Sequence, residues 1–241
     1  MKGSLFRVGI DQQYGHWNAP VDPKSRQFVY VPIPEEREFH PGLERSYREI
    51  IPSLQRFCST VKRDLISELK FPSSGLRYMH LDPDFAELTY GEGPRRDDLN
   101  ELNNGGLIAF YSGLRSVHKC DDRLIYALIG IYIVDDVVRA VDVPKDRWRE
   151  NAHTRIRNRG ESELIVRARK LESGRLKECI PIGEWREGAY RVKKEIEEEW
   201  GGLKVKNGFI QRNRARPILS DPEKFYQWFL KQGVTLVQEN N

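Results

Sequence analysis

The sequence predicts an α+β fold, with a mixed β-sheet or barrel core and flanking helices. Three observations carry that expectation. Two apolar runs in mid-chain, Leu107–Tyr111 and Leu124–Val134, are rich in β-branched and aromatic residues and bounded by Gly, Asn, Asp or Ser, the pattern of buried strands. Leu54, Phe57, Val61, Leu65 and Leu69 recur at helical spacing and form one apolar stripe. Near the C-terminus Asp221 and Pro222 precede Phe225, Trp228 and Phe229, a capped helix start followed by a face to bury. At 241 residues the chain can bury a full core. We expect one domain over 1–241, with a helical insertion at about 43–70 and a C-terminal helical segment at about 185–235.

In chain order, Leu5–Ile10 reads as a first strand ending at Asp11, and Gln27–Ile33 as a second that Pro32 and Pro34 keep to an edge. Glu35, Glu36 and Glu38 form an exposed turn before a helix. Leu43–Leu69 is helical, interrupted at Pro52-Ser53, where Ser53 caps a second segment. Phe85–Tyr90 is a short strand, and Arg95–Asn103 a short helix or polar turn. The stretch Ser112–Arg123, polar and basic, is an exposed loop between the central strands. Arg147–Arg155 is helix-like, and Glu163–Ala168 is a strand with Arg167 and Arg169 on its polar face. Arg175–Pro181 is another short apolar piece. Trp185–Trp200 contains a charged helix, stopped by Gly201-Gly202; its Lys193–Glu199 run is a solvated face. Pro222–Gln232 is the last helix, and the tail Val237–Asn241 frays.

Composition narrows the function classes. The N-terminus has no long apolar segment of the signal-peptide kind. The longest apolar run, 11 residues, falls short of the roughly 20 needed to span a bilayer. Cys58, Cys120 and Cys179 are widely spaced, with no paired-cysteine zinc signature or disulfide framework. A reducing cytoplasm is the expected home. The net charge of +4 is mild, but the basic residues cluster after position 120, at Arg155, Arg157, Arg159, Arg167, Arg169 and Lys170 and again at Arg212, Arg214 and Arg216. Such clusters suit a polyanion. Dinucleotide, P-loop, serine-hydrolase and zinc-peptidase fingerprints are absent, so no cofactor is expected.

Two places could carry chemistry. Directly after the first strand, Asp11, Tyr14, His16, Trp17 and Asn18 crowd around a glycine, and loops often carry function. Trp17 is as readily a core anchor. Further on, His80, Asp82 and Asp84 alternate and would share one face of an extended chain. Such a face could hold a divalent metal, but Pro83 between the two aspartates favours turn chemistry, and no metal is assigned.

The pattern VGID, QYG and WNAP near the start, FVYVPIPE, LDPDF, TYG, FYSGL, IGIY and NAH with basic residues resembles the third nucleotide modification associated domain family over most of the chain. That family keeps company with DNA base-modification and related conflict systems. The resemblance therefore implies a context, with nucleic acid (DNA before RNA) or a nucleotide as partner and protein partners in such a system, and it brings no established catalytic residues. More locally, the central GLIAFYS and ALIGIYIV strands are similar to the core hairpin of PUA-like barrels, including the EVE and YTH groups, although Gly105-Gly106 stands where Gly-Asp is usual. That likeness implies a base reader. Unstacking a base costs about a few kcal/mol, and aromatic stacking returns about 1–3 kcal/mol per base. The expected pocket is then Asp11, Tyr14, His16, Trp17, Asn18 and Tyr111, with Arg115, Lys119, Arg155 and Arg157 on phosphates. The competing readings are an enzyme acting on a nucleotide or DNA base, using Asp11 with His16 or His80 with Asp82 as acid and base, and a structural or partner-binding protein.

Overall fold

A computed structural model describes residues 1–11, 17–62, 78–92, 102, 104–118, 123–211 and 217–241. The first strands are β1 (Gly3–Arg7), β2 (Pro20–Val21), β3 (Ile33–Pro34), β4 (Met79–His80) and β5 (Thr89–Glu92). The two central apolar runs become β6 (Leu107–Ser116) and β7 (Leu124–Arg139), paired antiparallel. β8 (Leu164–Ala168) and β9 (Gly174–Pro181) follow. β10 (Gly183–Arg186) and β11 (Ala189–Val192) form a separate hairpin, and β12 (Leu236–Val237) returns to β9.

Among the described residues the main sheet has eight strands and is mixed. β1 and β2 run parallel to β6, whereas β7 is antiparallel to β6, β8 and β9. β7 is long enough to serve two neighbours on one edge, β9 along its first half and β8 along its second. The sheet does not close into a barrel among these residues.

The strand composition follows from burial on both faces. Along β6, Ile108 and Phe110 enter one core with Phe6, Trp17, Tyr30, Phe85 and Tyr132, whereas Leu107, Ala109 and Tyr111 enter another with Leu5, Leu176, Trp200 and Phe225. Successive side chains point to opposite faces, so a strand covered on both sides must be apolar at every position. The second core is capped by the helix Pro222–Lys231, where Asp221 accepts the Lys224 N–H and Pro222 occupies the first turn. The first core is closed by the helix Ile51–Val61, which buries Leu54 and Phe57.

Several sequence expectations change. Ser46, not Ser53, caps in this region, on a short 3-10 turn before the helix. Ser112–Ser116 extends β6 and is not loop. The strand expected over Phe85–Tyr90 sits later, at β5, because Asp84 and Thr89 exchange backbone hydrogen bonds and close a turn between them. The β10–β11 hairpin occupies the start of the expected helix, which shortens to Lys194–Glu199. Glu187-Gly188, both at positive φ, supply the tight turn there. The tail does not fray: β12 pairs with β9, and the Asn241 amide bonds both backbone groups of Tyr30. Residues 95–101 and 103 of the expected polar turn lie outside the described residues, as do the residues beyond 62 in the expected helix.

Candidate functional site

Among the described residues of the pocket expected around the first loop, Trp17 and Tyr111 do not meet. Trp17 is 4% exposed within the first core, and Tyr111 lies in the second, on the opposite face of the sheet, with its hydroxyl donating to the Ile210 carbonyl at 2.9 Å. Asn18 is fully buried, its amide donating to the Gly113 carbonyl at 2.8 Å. Asp11 is ion-paired with Arg7 at 3.2 Å. Tyr14 and His16 lie outside the described residues. Of the expected phosphate contacts, Lys119 is also outside them, and Arg115 is half-buried at the end of β6. Arg157 stands half-exposed, 3.5 Å from Glu38. Arg155 is a correction: it is buried, and its guanidinium donates to Asp84 at 2.6 Å, so it faces the interior and no phosphate.

A different cluster is built, from three separated stretches. β3 and β4 pair antiparallel, bringing Ile33 opposite His80 and so placing Glu35 beside that imidazole. The chain continues through Asp82 and Asp84 to β5, which pairs with β8. Across from it Asn151 caps the short helix Ala152–Arg155 by accepting the His153 N–H at 2.9 Å. Asn151 also donates its amide to Asp82 Oδ1 at 2.9 Å, tying the cap to the carboxylate. The Asp84–Arg155 ion pair fastens the same two stretches again, two residues beyond Asp82 and four beyond Asn151.

The result is a cluster of two imidazoles and three carboxylates. His80 Nδ1 lies 2.7 Å from Glu35 Oε2, and His153 Nδ1 lies 3.1 Å from Glu163 Oε2. Arg37 bridges the carboxylates behind them, with a two-pronged pairing to Glu35 and a contact to Glu163 at 3.3 Å. In front, His80 Nε2 and His153 Nε2 stand 3.9 and 3.8 Å from the same atom, Asp82 Oδ2. The two rings meet edge to face at 4.9 Å. Asp82 Oδ1 meanwhile accepts from the Gly91 N–H at 2.8 Å. The side chains are nearly enclosed, at 11%, 5% and 8% exposure for His80, Asp82 and His153.

Burial and charge set unusual proton affinities. Burial pushes the Asp82 carboxyl up to about 7, against the pull of His153 and the hydrogen bonds from Gly91 and Asn151. Burial likewise lowers His80 to about 4, although the Glu35 contact favours its charged form. For Glu35 and Glu163 burial works the other way but is outweighed: hydrogen bonds from His80 and Arg37, and the close approach of His153, hold these carboxyls below their usual range. Strongly shifted groups gathered in one place are typical of functional sites. His80, Asp82 and His153 are also the residues whose ligand atoms, all within 4.8 Å of one another, could hold a metal ion.

The sequence pointed to His80 and Asp82 but supplied Asp84 as the third member, and the structure turns Asp84 toward Arg155 and Asn240 instead. His153 comes from 71 residues beyond Asp82. The signal that could have found it is the Asn-Ala-His triplet, a polar cap followed at once by a histidine, but nothing in its spacing names its partner.

A family model described as nucleotide modification associated domain 3 matches residues 2–226. The chain belongs to this family. The nucleotide modification associated domain 3 span takes in every residue of the cluster, from Glu35 to Glu163, and the family's description associates it with nucleotide modification. No curated protein and no solved structure matches the chain. No helix among the described residues is long and apolar enough to cross a membrane.

Proposed function

We propose that this family member is an enzyme acting on a nucleotide or a nucleobase, with His80, Asp82 and His153 as its reacting centre. One observation carries the reading: two imidazoles, each held from behind by a carboxylate, turn their other nitrogen toward a single oxygen of Asp82. Burying this many ionisable groups is costly. A network built only for stability would close on itself through hydrogen bonds, as Asp84 and Arg155 do at 2.6 Å. Here the front atoms stop at 3.8 and 3.9 Å, beyond hydrogen-bond range. The stretch that carries His153 also carries the exposed cations Lys145, Arg149 and Arg157, charges of the kind that draw in phosphates.

The test is product formation. Wild-type protein incubated with a panel of nucleotides and modified or unmodified DNA and RNA should generate a mass-shifted product. Asp82→Asn and His153→Ala should each lower its rate by about 100-fold or more, the scale of a lost reacting group. A panel without product, or variants as active as wild type, defeats the reading.

A further inference from the structure

We propose that His80 Nε2, Asp82 Oδ2 and His153 Nε2 hold one divalent transition-metal ion, with its remaining coordination positions left open to water or substrate. The inference rests on the reading of this cluster as the reacting centre and names what that centre holds.

The argument begins with protons. A carboxylate can only accept hydrogen bonds. Glu35, paired two-pronged with Arg37, therefore fixes the proton of His80 on Nδ1. Glu163 Oε2, 3.1 Å from His153 Nδ1, favours the same tautomer through its charge, although the two atoms are not aligned for a hydrogen bond. Each ring turns its Nε2 toward Asp82, the position from which an imidazole can ligate. The two hydrogen bonds to Asp82, from Gly91 and Asn151, both go to Oδ1, and Oδ2 is turned toward the rings. Three electron-rich atoms face one another with no proton assigned between them. A cation between them relieves their mutual repulsion.

The surroundings fit the same conclusion. A histidine that ligates a metal usually donates its other ring N–H to a carboxylate or carbonyl, which fixes the tautomer and the ring orientation. His80 has that support from Glu35, His153 has a carboxylate at 3.1 Å in the same place, and Asp82 has two donors of its own. Gly91 makes room for it: a Cβ at that position would lie 2.2 Å from His153 Cδ2 and 2.7 Å from Asn151 Oδ1, so any larger residue would push the ring out of place. The spacing is close to what is needed. Ligand atoms bonded at about 2.1 Å to a tetrahedral ion stand roughly 3.4 Å apart, and modest rotation of the two rings would bring 3.8 and 3.9 Å to that value.

The donor set selects the ion class. Two imidazoles and one carboxylate suit zinc, iron, cobalt, nickel or copper, whereas calcium and magnesium take oxygen ligands. Among the described residues the cluster offers three ligands, and three protein ligands, not four, are the mark of a metal that works on substrate.

The experiment is metal binding by the full chain, stripped with a chelator and dialysed. Calorimetric titration with Zn²⁺ or Co²⁺ should show one site per chain, and Co²⁺ should give visible bands of nitrogen ligation. His153→Ala and Asp82→Asn should lose at least 100-fold in affinity. Glu163→Gln, which weakens the support of His153, should lose about 10–100-fold. Absence of a site, or unchanged affinity in His153→Ala, overturns the proposal. If a variant fails to fold by circular dichroism, the Co²⁺ spectrum of wild type decides: bands like those of the aqueous ion overturn it. Product formed by the metal-free protein in excess chelator would overturn the metal and leave the enzyme standing. A bound ion with no product from any substrate would do the reverse.

Discussion

Replacing Arg155 by methionine tests whether the candidate centre is mounted as described. Asp84 is fully buried and the Arg155 side chain is 3% exposed, their charged atoms 2.6 Å apart. Removing the guanidinium leaves a carboxylate in the interior without its main counter-charge, a change that costs about 3–5 kcal/mol. The Arg45 guanidinium remains 3.8 Å from Asp84 Oδ2, and three contacts remain on Oδ1, from the Ala86 and Glu87 N–H groups and the Asn240 amide, which argues for the lower part of that range. The Arg149 carbonyl also loses its donors from Arg155, adding about 1 kcal/mol. The expected loss is therefore about 4 kcal/mol, or roughly 8–16 °C in Tm for a chain of this size. Denaturant titration and thermal melts followed by circular dichroism would read it. Combining Arg155→Met with Asp84→Asn should cost less than the sum of the two, with a coupling of about 1–3 kcal/mol. A loss below about 1 kcal/mol, with a fall in the salt dependence of nucleic-acid binding instead, would mean that Arg155 faces solvent and phosphate, as the sequence suggested.

Other perturbations probe separate features. Trp17→Ala should destabilise the fold by about 3–5 kcal/mol by opening a cavity in the first core; a folded variant of wild-type stability would show that the indole is not packed there. Cys179, whose thiol burial pushes up to about 12, should resist iodoacetamide at pH 8 because almost none is thiolate; alkylation of its peptide without denaturant, read by mass spectrometry, would contradict that placement. Replacing both Asn240 and Asn241 by alanine removes four hydrogen bonds, one from and one to the Tyr30 backbone, one from Phe85 and one to Asp84, and should cost about 2–4 kcal/mol in a urea titration; no change would place the tail in solvent. Asp22 has its carboxyl lowered to about 2: burial opposes this, but hydrogen bonds from Ser25, Lys24 and His118 prevail. A lowered carboxyl stabilises the fold above its ordinary value of 3.8 and stops doing so as pH falls through about 2. The deficit of Asp22→Asn should therefore be full at neutral pH and shrink below 3.8, and a deficit that grows with acid would refute the assignment.

The strands were the legible part of this sequence. Leu107–Tyr111 and Leu124–Val134 announce themselves because both faces of β6 and β7 are buried, which forces apolar residues at consecutive positions. The final helix was equally plain, since Asp221 and Pro222 act through local chemistry. The β10–β11 hairpin was missed because Trp185 and Tyr190 pack against each other across strands, a contact that charge-rich composition hides. The centre was half legible. His80 and Asp82 share one short stretch, and alternation alone brings them near. Glu35, His153 and Glu163 join them only through the pairing of β3 with β4 and of β5 with β8, and no local pattern encodes such pairings. Trp17 misled because a large aromatic in a polar loop has the same sequence signature whether it lines a cavity or plugs a core.

Asp84 gathers its partners from far along the chain, Arg155 at a separation of 71 residues and Asn240 at 156. Contacts between such distant positions close late, because long loops must be ordered before they form. Asp82, two residues earlier, inherits that timing. A chain still emerging from the ribosome would therefore leave Asp84 short of its Asn240 partner until the last residues had arrived.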